Sequence, residues 1–355
     1  MTTNKRLTVL ITGGAGFIGS ELGYILSTSR SQSLEEVEYN VILLDDMSYG
    51  REENLLVNGV KIVCKFIKCD IRSEEMYNHL KDVDIVIHCA GIAPLPDCQV
   101  NPAKAIDVNV SGLANTLEAS RRNNIKRFIF FSSSAVYENN NTFPSKESDN
   151  ISPSLIYACS KQQGEILCHS YRINYNMPIV ILRCFNVYGP HQNLFRKHPP
   201  FLGYAIRELM NGNVPTFYSD GTQKRDYIFI DDLVRLVQLC MLHKSAPGNT
   251  FNASTNKVYS VNELYQIVSE HFDFKCQPNY NNSSSFWNKY PELFESGSIT
   301  MPLRGDIVEK EVKKFAQGDY SHAQQVLGWI PLVSMEKGIE ITVRHILDHK
   351  DQVKE

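Results

Sequence analysis

The sequence predicts an α/β fold, a doubly wound parallel sheet with a smaller C-terminal α/β lobe, and three observations carry the prediction. Short apolar runs alternate with longer mixed segments through the first half of the chain. A glycine-rich turn, Thr12-Gly13-Gly14-Ala15-Gly16-Phe17-Ile18-Gly19, directly follows the first run, and the second run ends in an acidic pair, Asp45-Asp46. Such alternation is what βαβ units require, because parallel strands are joined by crossover helices and are buried on both faces.

Taken in order, the apolar runs at 7–11, 41–44, 62–67, 85–88, 128–132 and 179–183 are read as strands. Helical periodicity is clearest over 102–124, where Ile106, Val110, Leu113 and Leu117 form one stripe. A second helix is expected over 154–175, starting in a Ser-Pro context and carrying Tyr157 and Lys161 one turn apart on one face. From Val187 onward Gly189-Pro190, Pro199-Pro200, Gly212 and Pro215 break the rhythm. Two lobes are therefore expected, 1–187 and 188–355, with the chain crossing back to the first around 226–255. The Asn-rich stretches at 139–141 and 281–285 read as exposed loops.

Composition excludes several classes. With 43% hydrophobic and 21% charged residues over 355 positions the chain can bury a full core, and a net charge of −3 leaves no basic field for nucleic acid. Nine cysteines, scattered without a Cys-x-x-Cys pair, suggest reduced thiols rather than disulfides or a structural zinc. His88 and His191 stand isolated, so no metal is expected. No apolar run approaches the ~18 residues of a membrane span, and a cytoplasmic protein is expected.

The glycine-rich turn has the spacing of a Rossmann-type dinucleotide site. Gly13 allows a tight turn, Gly16 lets backbone approach a pyrophosphate, and Gly19 permits close helix packing, while the free N–H groups of the helix end hold the anion. Asp45 stands 26 residues past Gly19, against the ~20 expected for the carboxylate that grips the adenosine ribose. The polar stretch 27–38 accounts for the excess. A carboxylate there repels a 2′-phosphate, which favours NAD over NADP.

Tyr157-Ala158-Cys159-Ser160-Lys161 places a phenol and an ammonium together. A free phenol titrates near ~10 and is a poor base at neutral pH unless a cation stabilises its anion, the task Lys161 suits. Alone, such a pair is common on helix surfaces. Here the strand at 128–132 runs into Ser132-Ser133-Ser134-Ala135-Val136-Tyr137, which puts hydroxyls at a strand's carboxyl end, where open parallel sheets bind ligands. Strand-end serines are also ordinary turn formers.

With this combination the chain resembles the extended short-chain dehydrogenase/reductase family, and within it the sugar-nucleotide epimerases and dehydratases such as UDP-glucose 4-epimerase. Further landmarks are Asp70-Ile71, His88-Cys89-Ala90-Gly91, Asn109-Val110, the run from Arg183 to Pro190, that from Asp220 to Tyr227, and Leu327-Gly328-Trp329. The resemblance implies that Ser133, Tyr157 and Lys161 are catalytic and that Lys161 also holds the nicotinamide ribose. It places Asp70 and Ile71 at adenine and Ala90 and Gly91 along the cofactor groove. Phe17, Ile18, Asp46 and Asn109 join them at the cofactor. Ser134 becomes a secondary sugar contact, and Asn186 and Arg225 bind the substrate diphosphate; a guanidinium can fork two phosphate oxygens. The family's Arg-x-Gly-Asp stands here as Leu303-Arg304-Gly305-Asp306, with Arg304 one place late. The segment 273–299 looks like an insertion, and the stretch from Cys89 to Pro96 is unusually proline-rich.

Members of the family oxidise a bound sugar to a keto sugar. The dehydratases and decarboxylases then use further acids near the catalytic Ser/Thr, where this chain has Ser134 and Ala135. Epimerisation needs none. The expectation is an NAD-dependent nucleotide-sugar epimerase acting at C4 through a 4-keto intermediate. A dehydratase or decarboxylase is the alternative, and a non-catalytic NAD-binding protein the third reading. The 106/110/113/117 stripe and the Tyr157 helix resemble the family's four-helix dimer interface, so a homodimer is expected; packing of both helices on their own sheet is the alternative.

Overall fold

The computed structural model describes residues 5–28, 37–57, 60–61, 64–196, 199–294, 301–307 and 313–349. Its strands of three or more residues are β1 (Lys5–Thr12), β2 (Val37–Asp45), β3 (Lys65–Lys68), β4 (Ile85–His88), β5 (Arg127–Ser133), β6 (Ile179–Cys184), β7 (Asn186–Tyr188), β8 (Lys224–Phe229), β9 (Thr250–Ala253) and β10 (Val258–Ser260). Seven of them form one sheet in the order β9-β6-β5-β4-β1-β2-β3, parallel at every pairing. The order runs outward in both directions from the β1/β4 boundary, and the crevice of such a sheet opens at the strands' carboxyl ends there. A small second sheet, β10-β8-β7, joins β8 to β7 in parallel and to β10 antiparallel.

The alternating burial of β1 explains its continuous apolar run. Val9 and Ile11 enter one core and Leu10 the other, all fully buried. Helix α1 (Phe17–Ser27) closes the first face with Leu22 and Leu26. The other face is closed by a segment that begins with α2 (Leu95–Val100) and α3 (Pro102–Ile106), passes through a π-helical turn (Asp107–Ser111) and ends in α4 (Gly112–Arg122). Helix α5 (Ile156–Tyr175) packs beside α4 and ends on Asn176 in the left-handed conformation. Helix α6 (Ile230–Leu242) returns to the first face through Leu233, Val234 and Val237.

Two expectations need correction. The expected helix over 102–124 runs continuously from Pro102 to Arg122 but widens into a π-helical turn at Asp107–Ser111, which turns Asn109 inward. Leu113 and Leu117 are fully buried against the chain's own sheet with Phe128 and Phe130, so those two positions of the stripe offer nothing to a second subunit. The third strand begins at Lys65, and residues 62–63 of the expected run lie outside the described residues. Among the described residues no helix is long and apolar enough to cross a membrane.

Candidate active site

The glycine turn is shaped by what cannot fit in it. Gly13 has φ +69°, and a Cβ there would lie 2.8 Å from the Ala90 amide nitrogen; a Cβ on Gly19 would collide with the Gly13 carbonyl oxygen. The turn therefore lies flat against the end of β4, and α1 starts at Gly16 with no side-chain cap. First-turn N–H groups have no partner inside a helix, which leaves those of Phe17 and Ile18 available as anion donors. A cavity at this turn is lined by Gly13, Gly16, Asp45, Asp46, Asp70 and Ile71 together with Ala90 and Gly91. The carboxylate of Asp45, buried at the end of β2, accepts the Ala15 and Met47 amides at 3.0 and 2.8 Å. Burial pushes it above the usual carboxylate range. Each of its oxygens keeps a lone pair for a hydroxyl. Asp46 is exposed and binds Ser48, and Asp70 pairs with Arg72. An anion cradle, an apolar slot and a carboxylate at the strand end suit a dinucleotide.

Asn109 lies behind the lining of that cavity rather than in it. Its amide accepts from the Ile92 N–H at 2.7 Å and donates to the Ile92 carbonyl at 3.1 Å and to Ser160 Oγ at 3.0 Å. All of this is buried, and it ties the Ala90-Gly91-Ile92 loop to α5.

The phenol and the ammonium meet at the end of β5. Lys161 Nζ donates to the Phe131 carbonyl at 2.8 Å and lies 5.9 Å from the Tyr157 ring centre. A Cβ on Gly91 would come within 3.6 Å of it, so the buried ammonium packs against a residue that lines the cofactor cavity. Burial lowers the Lys161 ammonium from its ordinary value and pushes the Tyr157 phenol up to about 12, against which the Ser133 hydroxyl beside it pulls down. Strand alternation separates the serines. Ser133 faces the phenol, while Ser132 points into the core and donates to Glu165 at 2.5 Å. Ser134 opens the short turn Ser134–Tyr137. His88, buried against Thr12, is pushed down to about 3 by burial and by Lys161, so it is neutral at physiological pH.

A second cavity, of about 310 Å³, is lined by Asn186, Arg225, Tyr218, Leu95, Pro96 and Trp287. Asn186 Nδ2 donates to the Asp226 carbonyl at 2.7 Å, which holds β7 to β8. The Asp226 carboxylate is fully buried and turns to Thr255, Asn256 and Gly318. Arg304 is not brought to this cavity: the one-place shift leaves it forked onto Asp306 at 2.7 and 3.0 Å, 77% exposed.

Three features escaped the sequence reading. The Glu165–Arg183 pair, at 2.8 and 3.0 Å, is buried beneath α5 and reaches Tyr137 Oη at 2.7 Å. Arg183 sat inside an apparent strand, and only its charge in an apolar run could have signalled a partner. Segment 283–293 folds as short helical turns that bury Trp287, Tyr290 and Leu293 against Leu95. Gln99 on the same α2 accepts the Ile156 amide at 2.8 Å, so the insertion bears on the start of α5.

A family model for the NAD-dependent epimerase/dehydratase family matches residues 9–254. The chain is 29% identical over 340 residues to a putative UDP-glucose 4-epimerase of Methanocaldococcus jannaschii, covering 94% of this chain and 97% of that one. It is also 29% identical to a dTDP-D-glucose 4,6-dehydratase of Mus musculus over 94% of this chain and 87% of that one. Among solved structures, the UDP-glucuronic acid 4-epimerase of Bacillus cereus in complex with UDP-glucuronic acid and NAD superposes with a TM-score of 0.79 at 25% identity, over 96% and 99% of the two chains.

Proposed function

From the premise that this chain belongs to the NAD-dependent epimerase/dehydratase family, we propose that it is an epimerase of a nucleotide-diphosphate sugar, acting at C4 through a 4-keto intermediate. One observation supports the reading: Ser133, Tyr157 and Lys161 converge at the end of β5, and Lys161 lies against Gly91, which lines the dinucleotide cavity. The cofactor is NAD, and when bound it supplies a hydride acceptor and, oxidised, a positive charge near the phenol.

The chain's own residues do the rest. The Gly13–Gly19 turn and the α1 amides hold the pyrophosphate, Asp45 holds the adenosine ribose, and Asp70 and Ile71 flank adenine. Lys161 keeps one donor on Phe131 and offers the others to the second ribose, with its charge favouring the phenolate. Tyr157 Oη takes the proton of the C4 hydroxyl while Ser133 Oγ donates to the same oxygen; the proton returns once the sugar has presented its other face. Arg225 and Asn186 hold the diphosphate, Ser134 contacts the sugar, and Trp287 with Leu95 and Pro96 walls the cavity. With lobes divided at 187/188, the substrate cavity is lined from both, by Leu95, Pro96 and Asn186 of the first and by Tyr218 and Arg225 of the second. Ser134 and Ala135 carry no acid for elimination, which supports epimerisation over dehydration.

The test is to incubate the protein with UDP-, GDP-, CDP- and dTDP-hexoses and follow products by proton NMR and mass spectrometry. A product of unchanged mass with an inverted C4 supports the reading. Loss of water or of CO2 replaces it with the dehydratase or decarboxylase, and no turnover of any sugar leaves the non-catalytic reading.

A further inference from the structure

The end of β3 carries a cluster that the proposed reaction does not use. Cys69, Glu75 and His79 bring a thiol, a carboxylate and an imidazole together, with Sγ, Oε and ring nitrogen all within 4.8 Å of one another. Glu75 and His79 are four apart on the single helical turn Met76–His79 and its cap, hence on one face. His79 Nε2 lies 3.7 Å from Glu75 Oε2, and that nitrogen is buried with no hydrogen-bond partner. Leaving a buried ring nitrogen unsatisfied is costly. Among the described residues no donor or acceptor lies within hydrogen-bond distance of it, and the carboxylate stands just beyond at 3.7 Å.

From this geometry we infer that Cys69, Glu75 and His79 form a three-ligand site for a zinc-type divalent cation. The donor set is soft sulfur, borderline nitrogen and one oxygen, which selects zinc over magnesium or calcium. At zinc–ligand lengths of ~2.0–2.3 Å, tetrahedral donors stand roughly 3.3–3.7 Å apart. The nitrogen–oxygen pair already does so, and the thiol, within 4.8 Å of both, closes by at most about 1 Å. On binding, the Cys69 Sγ–H proton passes to solvent, the sulfur–metal bond replaces the thiol's 3.3 Å hydrogen bond to the Asp70 carbonyl, and water fills the fourth position. The spacing Cys-x5-Glu-x3-His differs from the Cys-x-x-Cys pattern, so the cysteine count alone suggested no metal. Cys69, Asp70 and Ile71 also line the dinucleotide cavity. The ion would therefore staple the loop at the adenine end to the turn that follows it.

Cobalt(II) titrated into the chelator-treated full-length protein tests this, because a cobalt–thiolate bond gives a charge-transfer absorption in the near ultraviolet. The expected result is a band saturating at one equivalent, lost in Cys69→Ser and retained in Cys64→Ser. His79→Gln should weaken cobalt binding by at least about tenfold, and Glu75→Gln, an exposed position whose change leaves the fold intact, should weaken it as well. Absence of the band in the wild type, or an undiminished band in Cys69→Ser, overturns the inference. Both readouts are independent of any turnover.

Discussion

Glu165→Ala should destabilise the fold severely while leaving every residue of the crevice in place. Its carboxylate accepts two bonds from Arg183 and one from Ser132, and the two charged side chains are 4% and 7% exposed. Removing one partner strips the buried Arg183 guanidinium of its hydrogen-bonded counter-charge, with Glu147 left as a more distant one, a loss of about 3–5 kcal/mol. At about 2.1 cal/mol/K per residue, a chain of 355 residues unfolds with an entropy of roughly 0.75 kcal/mol/K, so the melting temperature should fall by about 4–7 °C. Ser132→Ala removes a single bond to a charged group, about 1.5–3 kcal/mol, and should cost about 2–4 °C. Replacing both charges, Glu165→Met with Arg183→Met, leaves no stranded ion and should recover at least half the loss. Differential scanning calorimetry at pH 7 measures all of these. A Glu165→Ala protein melting within about 1 °C of wild type refutes the claim that this pair anchors α5 to the sheet.

Tyr157→Phe should retain fold and bound NAD but lose at least about 100-fold in turnover, measured by NMR; near-normal turnover removes the phenol from the mechanism. Because burial raises Tyr157 from 10 to about 12, the folded state holds the proton that the unfolded state releases between those values, and stability should decline with rising pH across that window. Ultraviolet difference titration of cofactor-free wild type against Tyr157→Phe should show no Tyr157 phenolate below pH 10. Lys161→Met should weaken both NAD retention and rate, and unchanged retention would count against the dual role. Ile166 and Ile173, 60% and 68% exposed on the outer side of α5, are proposed as the dimer face. Ile166→Asp with Ile173→Asp should shift the light-scattering mass from dimer to monomer, and a wild-type mass of one chain at all concentrations excludes the dimer.

The parallel sheet was legible because a strand buried on both faces must be apolar throughout, as Val9, Leu10 and Ile11 are. The glycine turn was legible because each of its glycines answers a steric demand visible in spacing alone. Ser133 was singled out by the resemblance, and alternation along β5 gives the physical reason, since it turns Ser132 to Glu165 and Ser133 to the phenol. The widening of the helix was hidden because a π-helical turn leaves the hydrophobic period nearly intact while rotating one residue, Asn109, inward. Trp287 and the Glu165–Arg183 pair depend on contacts between segments far apart in the chain, which local periodicity does not encode. Strands β7 to β10 were obscured by the intervening proline and glycine breaks and by their short lengths.

The central claim is that the hydrogen taken from C4 returns to the same sugar. A nucleotide sugar deuterated at C4 tests it directly, with product isolated from ordinary water and examined by NMR and mass spectrometry alongside absorbance at the reduced-nicotinamide band. The account predicts an inverted product that keeps its deuterium, with no build-up of NADH as product accumulates. Stoichiometric NADH release would make the protein a dehydrogenase, and exchange of the label into solvent would mean proton abstraction beside a carbonyl; either contradicts it.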